Sequence, residues 1–512
     1  MNEPDRLHAI ETTSEDSTFS CPRIPEGIEV RQGPHISRPG TPMSAARLKH
    51  SLIHKSAQYE HEGEHDSAVW LAHRSHVIVF TYSGKPVYTR YGSEDLIAGF
   101  TGTLQALMAK VAVLGLSSSG NDQLKTITFG RLRVVFLDRS PLILVSICKQ
   151  KDVPTESNFR LLKAVHAQVI FILTGSINTT LTERANFDVR SLLGGTKPLM
   201  VNLISWMHRD MLLAIEDSAV EALPLPYPTR LALTTVLQVH TPDCCALALL
   251  LSGHRVIATA APRTAYPLVS ACDMILLINL VVSSTSLRSG EGWTPVCLPS
   301  VSQEAFVYAY VHFLTEEIAY VCLSLSPESE NFYAISRQSQ LIQESLQTGP
   351  PIAGVVSEWA AKCPLSLSSL PGEDAADERQ DFLLNVRHCA IVLNHSRQLF
   401  SSKMVSPEPL FSDEEAPSFK RIYRNYAQAL ATLRSGGSSS KQVSMTTENS
   451  FVFVWITTEF QFFLTTSKGV DMAIITYVYQ WIRDREQTLF MPNIPNSADS
   501  GTRLNVSAPS LW

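Results

Sequence analysis

Four apolar residues in a row, Val77 to Phe80, with Tyr82 just beyond, constrain this chain more than any other stretch. Such a run reads as a strand buried on both faces. Ser83-Gly84 supplies a tight turn, and Lys85 to Arg90 returns as a second strand. Ser93 is placed to cap a helix, with Glu94 and Asp95 where negative charge meets the positive helix end. Leu96, Phe100, Leu104, Leu107, Val111 and Leu114 fall on one stripe at helical spacing, expected to be the buried one, and Gly115 stops the helix. A hairpin packed by one amphipathic helix is therefore the expected nucleus of a first domain.

Strand candidates follow at 124–129, 132–137 and 142–148, separated by Gly130-Arg131 and by the turn at 138–141. A second helix is expected from Thr155, with Leu161, Val165, Val169 and Ile172 on one face and Gly175 at its end. Hairpin, helix, three strands, helix is an α+β order: one antiparallel sheet with helices on its faces. Residues 176–214 are expected to form trailing helical turns and a connection. The Pro-rich LPLPYP at 223–228 marks a boundary, and then the order returns. Strands at 245–251 and 256–261 flank Ser252-Gly253. A helix opens at Pro267 and runs through Leu268, Ala271, Leu276 and Leu280. Strands at 293–298, 305–313 and 318–325 precede a closing helix at 331–346. Residues 348–379, with Pro, Gly and an acidic run, read as a linker.

A third unit offers a hairpin at 389–393 and 399–404, a helix at 419–434, the loop SGGSSSK at 435–441, strands at 451–457 and 460–466, and a helix at 470–485. The recurrence is of topology, not of sequence. The expected domains are a disordered N-terminal tail at 1–66, folded units at 67–198, 224–347 and 380–492, and a C-terminal tail at 493–512. The first tail is rich in Glu, Ser, Pro and His without periodicity; a regulatory segment and an unconstrained one fit it equally.

Charge and cysteine content narrow the function classes. A net charge of −6 argues against nucleic acid as the main partner. Nine cysteines, an odd number without paired metal spacing, fit a reducing compartment. The opening residues are acidic and polar rather than a secretory signal. The longest largely apolar run, 274–282, is interrupted by Asn279 and is about half of the ~20 residues a membrane span needs. Membrane contact is therefore expected to be peripheral.

With these elements placed, particular strings carry a resemblance. SGKPVYTRYGSEDL at 83–96, FLDRSPLILVSIC at 136–148, NFDVRSLLGG at 186–195, SSTSLRSGEGWTPVCLP at 283–299 and YQWIRDREQTLF at 479–490 resemble, in that order, the SAND/Mon family of vacuolar fusion proteins. The resemblance implies three longin domains and a complex with a Ccz-type longin partner. It further implies guanine-nucleotide exchange on a late-endosomal Rab-seven-type GTPase, without a cofactor. The implied location is the cytosol, with peripheral recruitment to the anionic phosphoinositide surface of late endosome, vacuole or lysosome. A non-catalytic longin scaffold, a coat or tether subunit, is the alternative; the number of hairpin–helix units favours the exchange factor.

Exchange needs no catalytic side chain, so the candidate residues are interface anchors: Trp70, Lys85, Tyr88, Arg90 and Tyr91, where aromatic and Arg residues surround the first hairpin. The first domain is expected to pair by its sheet edge with the partner's first domain. The competing reading is that Tyr88 and Tyr91 cover the sheet and Gly84-Lys85-Pro86 is merely a turn. Other motif-like strings are incomplete. His208-Arg209-Asp210 has Ile215 where a kinase needs Asn. Ser83-Gly84-Lys85 lacks the upstream Gly of a phosphate loop. HEGEH at 61–65 has zincin spacing, but Gly63 weakens a helix and no third ligand is evident. Trp293 is expected to pack the second domain. Lys420, Arg421 and Arg424 share one helix, as a solvated face or a contact for anionic headgroups.

Overall fold

The structure, a computed structural model, describes residues 70, 73, 75–114, 124–150, 153–185, 187–215, 217–261, 269–348, 352–367, 384–405, 418–435, 441–447, 450–469 and 472–492. The HEGEH string and the expected N-terminal tail lie outside them, as do most of the SGGSSSK loop, Pro267-Leu268 and the segment after residue 492.

The first sheet is built from β1 (Ser75–Thr81), β2 (Pro86–Thr89), β3 (Thr126–Phe129), β4 (Leu132–Arg139) and β5 (Leu142–Lys149) in the order β2-β1-β5-β4-β3, every pair antiparallel. Helix α1 (Ala98–Leu114) covers one face. There Ile78, Phe80, Val134, Phe136, Ile143 and Val145 meet Ile97, Leu104 and Met108. Helix α2 (Thr155–Leu173) covers the other, where Val77, Val79, Val135, Leu137, Leu142 and Leu144 meet Leu161, Leu162, Val165 and Val169. Period-2 alternation along β1 thus feeds two cores from one strand. Each fully buried aliphatic side chain contributes about 1.5–3 kcal/mol.

Short helices α3 (Ser176–Glu183) and α4 (Arg190–Leu193) lead to α5 (Lys197–Arg209). After α5 the chain passes β6 (Val220–Glu221) and α6 (Tyr227–His240) into the second sheet. That sheet contains β7 (Cys245–Ser252), β8 (Arg255–Ala260), β9 (Gly292–Cys297), β10 (Phe306–Phe313) and β11 (Ile318–Ser324), ordered β8-β7-β11-β10-β9. Its strand order repeats that of the first sheet position for position. Helix α7 (Ala271–Ser283) takes the place of α1, with Ser270 accepting from the Asp273 N–H as N-cap, and α8 (Ser329–Thr348) takes the place of α2. Trp293 packs this unit: it stacks at 5.7 Å on Tyr308 and meets Phe332 edge-on.

The third sheet adds β12 (Val386–Leu393), β13 (Gln398–Ser401), β14 (Gln442–Thr446), β15 (Ser450–Ile456) and β16 (Phe460–Ser467), with α10 (Ser418–Ser435) and α11 (Ala473–Asp484) on its faces and the one-turn α12 (Glu486–Leu489) closing it. Its order is β14-β15-β16-β12-β13-β6, so a sixth strand joins from far upstream, in parallel.

The structure corrects the sequence reading in one connecting region. Residues 352–362, expected as linker, form helix α9 (Ile352–Lys362), because Ile352, Val356 and Trp359 recur at i, i+4 and i+7 and pack onto the second core. The Pro-rich boundary at 223–228 is held by its neighbours. The β6 segment pairs with β13, Ala222 bridges Val256 of β8, the Leu223 N–H donates to Val256 O, and the Leu225 N–H donates to Thr488 O. Arg230, fully buried on α6, donates to the carbonyls of Leu223, Ile257 and Thr488.

The principal core runs through all three units, with α2, α5 and α7 at its middle. Asn279, the one polar interruption of the apolar run, is fully buried there. Its Nδ2 donates to Gln168 Oε1 (2.8 Å) and Leu199 O (2.9 Å), and its Oδ1 accepts from Asn202 Nδ2 (3.0 Å). No single described helix is long and apolar enough to cross a membrane.

Candidate protein-interaction surface

The outward face of α1 is the most conspicuous surface of the first unit. Leu96 is 62% exposed, Phe100 40%, Leu107 37%, Val113 86% and Leu114 60%. The stripe expected to be buried is real, yet it faces out; only Leu104 among its members is buried. The buried stripe is Ile97, Thr101, Leu104 and Met108, rolled about 80° around the helix at 3.6 residues per turn. The reason for the roll lies in the hairpin turn. Gly84, at φ +78°, brings its backbone against Gly102, and Thr101 Oγ1 donates to Gly84 O at 2.7 Å. A Cβ on Gly84 would stand 3.0 Å from the Gly102 Cα, so two glycines and one hydroxyl fix which side of an almost uniformly apolar helix meets the sheet. Ser93 is not the helix cap expected of it: the helix begins at Ala98, and Ser93 Oγ accepts from the Asp95 N–H in the preceding turn.

The five candidate anchors separate into three groups. Trp70, Arg90 and Tyr91 come together at the open end of the hairpin. The indole of Trp70 donates to Tyr91 O (3.2 Å) and lies 4.0 Å from the His76 ring; Tyr91 stacks on His73 at 3.7 Å; the Arg90 guanidinium sits over Tyr91 at 5.1 Å and donates to Ser205 Oγ. Burial, with His73 and Arg90 nearby, pushes His76 down to about 4, so this cluster holds a neutral imidazole at neutral pH. His73 and His76 carry no recognisable motif, and strand alternation alone could have flagged His76 as inward. Lys85 lies at the other end of the hairpin, 3.8 Å from Asp188. Tyr88 is 3% exposed and faces the core, a packing residue out of reach of a partner.

Lys85 belongs to a charged latch beside β2. Arg190 pairs with Asp188 (2.9 Å) and Asp95 (2.6 Å), and Lys197 approaches Glu94 (3.8 Å), joining the β2–α1 connection to the segment that carries NFDVRSLLGG. The Arg190 hydrogen bonds hold the Asp188 carboxyl down at about 2. These groups are substantially exposed, so each pair adds little stability and mainly fixes geometry.

The kinase-like string is structural. His208 Nδ1 lies 2.7 Å from Ile204 O, while Asp210 accepts from the Trp206 indole and the Met211 N–H, ending α5. Among the described residues no group of three or more His, Cys, Asp or Glu could hold a metal ion. What the surface offers is apolar contact framed by charge.

Comparison with known proteins gives two family matches. The model described as the first longin domain of FUZ, MON1 and HPS1 matches residues 75–203, and that of the second longin domain matches residues 246–344. The Protein SAND of Takifugu rubripes is 30% identical over 436 residues, covering 84% of this chain and 78% of that protein. A vacuolar fusion protein MON1 homolog of Oryza sativa is 29% identical over 463 residues, covering 85% and 78%. The MON1 homolog A of Gallus gallus is 28% identical over 429 residues, covering 82% and 73%.

Proposed function

Because the chain belongs to the family of SAND and MON1 vacuolar fusion proteins, we propose that it serves the fusion of vesicles with the vacuole or lysosome as one subunit of a guanine-nucleotide exchange factor. Its partner on this reading is a second longin chain of the Ccz type. Its target is a Rab-seven-type GTPase of late endosomes and autophagosomes. The complex is cytosolic and is recruited peripherally to an anionic, phosphoinositide-bearing membrane.

Exchange breaks no covalent bond. The factor must bind the nucleotide-free GTPase more tightly than the loaded one, and by linkage that preference weakens nucleotide binding. A shift of ~10⁴ in the equilibrium takes ~5.5 kcal/mol of differential affinity. Shape-complementary apolar contact can supply that without a side chain of special pKa. The observation that supports this reading is the bare α1 stripe: Phe100, Leu107 and Leu114, with Leu96 just ahead of the helix, beside a neighbouring face that is locked to the sheet. Covering half-exposed side chains of this kind is worth about 1 kcal/mol each.

A nucleotide-release assay tests the proposal. Release of a fluorescent GDP analogue from the GTPase should accelerate with the co-purified complex and not with this chain alone. The F100D/L107D double variant should lose co-purification of the partner and acceleration together. Stable GTPase binding by the complex without acceleration would make it a scaffold instead.

A further inference from the structure

At the margin of the first sheet opposite β2, the β3–β4 hairpin closes through Gly130-Arg131. Gly130, at φ +53°, takes the first loop position, where a type II′ turn requires a positive φ. The residues on either side of the turn are apolar and uncovered: Phe129 is 60% exposed and Leu132 45%. In the sheet register Phe129 pairs with Leu132, and Leu132 pairs with Lys149 of β5. Residues directly opposite in an antiparallel sheet point to the same face, so Phe129, Leu132 and Lys149 form one row across the sheet end. Two residues inward on that face, Ile127, Val134 and Ile147 pack into the core beneath α1. The row continues a core face beyond the helix that covers it.

Among the described residues the charge at this corner has one sign: across 124–133 and 147–150 the charged side chains are Lys125, Arg131, Arg133 and Lys149, all cations, in a chain whose net charge is −6. Arg131 and Lys149 are exposed beside the turn, whereas Arg133 donates to Val153 O.

We propose that this hairpin tip is a bilayer-contact element: Phe129 and Leu132 seat at the boundary of headgroups and acyl chains of an anionic membrane, with Arg131 and Lys149 against lipid phosphates. The proposal rests on peripheral recruitment as read above and names the surface that performs it. The shape argues for lipid over protein. Two side chains on a projecting turn are far short of the ~800 Å² per partner of a stable protein interface. They are enough for interfacial seating, where aromatic rings sit at headgroup level and each cation near an anionic leaflet raises partitioning about fivefold.

The experiment is flotation of the full-length chain with phosphatidylcholine vesicles with and without phosphatidylserine. A second measurement uses an environment-sensitive fluorophore on F129C. Wild type should float with the anionic vesicles. The F129S/L132S variant should partition about tenfold more weakly and R131A/K149A about twenty-five-fold, both melting as wild type does, while Y333S, on a distant exposed aromatic, should float normally. The fluorophore should shift to the blue on anionic vesicles. Tip variants that float as wild type, or an unshifted fluorophore, would overturn the proposal and leave recruitment standing. Failure of wild type on every vesicle would remove both. Loss of a co-purifying protein from the tip variants, with flotation intact, would reassign the tip to protein docking.

Discussion

Single residues do disproportionate work where the three units meet. In sequence Asn279 is only an interruption of an apolar helix. In the structure it joins α7 to Gln168 on α2 and to Leu199 and Asn202 on α5. Replacing it with Leu keeps the number of side-chain heavy atoms but strands two buried acceptors, Gln168 Oε1 and Leu199 O, each worth about 1–3 kcal/mol when unsatisfied. Asn279→Leu should lower stability by about 2–4 kcal/mol, read as a lower denaturation midpoint in urea at unchanged slope. Arg230 follows the same logic with a full charge. Burial pushes its guanidinium down to about 10, and three carbonyls rather than a carboxylate receive its protons. Neither role was readable beforehand, because the partners lie in other units and local periodicity carries no information about them.

At the level of elements, strand runs and turns were the legible part. Val77 to Phe80, the Gly130-Arg131 turn and the β-rich stretches after each amphipathic helix fall where alternation and turn chemistry put them, while the turn expected at Ser252-Gly253 comes one residue later, at Gly253-His254, because Ser252 still pairs with Arg255. The roll of α1 was not legible. When Leu, Val, Met, Phe, Ala and Gly occupy most of a helix circumference, spacing identifies two plausible stripes and cannot rank them; the decision is made by Gly84 and Gly102, across the turn. The pairs expected to frame an interface were visible as residues, yet Tyr88 turned inward and Lys85 went to the latch. Gly84→Ala should therefore cost about 1–3 kcal/mol, from its positive φ and from the 3.0 Å approach to Gly102. It should also raise amide hydrogen exchange across α1 more than across α2, and a mass-spectrometric exchange map would show that contrast. Uniform protection changes would mean that the turn does not set the helix.

Over the whole molecule, acid should loosen the core. Burial holds His76 and His166 down at about 4 and His208 and His388 at about 3. The unfolded chain takes up those protons near 6.5 and the folded chain does not. Their contribution is intact above that pH and is lost as pH falls toward 4, by up to about 1.4 kcal/mol per pH unit for each imidazole. Glu221 works in the opposite sense: burial pushes it up to about 7 although Arg255 lies 3.0 Å away, so it gains a proton on folding in the same window. Burial also pushes up the Asp210 and Asp273 carboxyls, and three carboxyls against four imidazoles still leave the net trend downward. The urea midpoint should fall steadily between pH 6.5 and 4.5, and His388→Gln should shallow that slope.

The two residues of β6 carry a further implication. A strand so brief cannot hold itself extended, yet it lies along β13 while the residue after it bridges β8. The chain that exits the first unit is thus the seam closing two later ones, and a translating ribosome delivers that seam before either margin exists to receive it. A protein started after residue 225 would display two raw hydrogen-bonding margins, along β8 and β13, inviting copies to zip together.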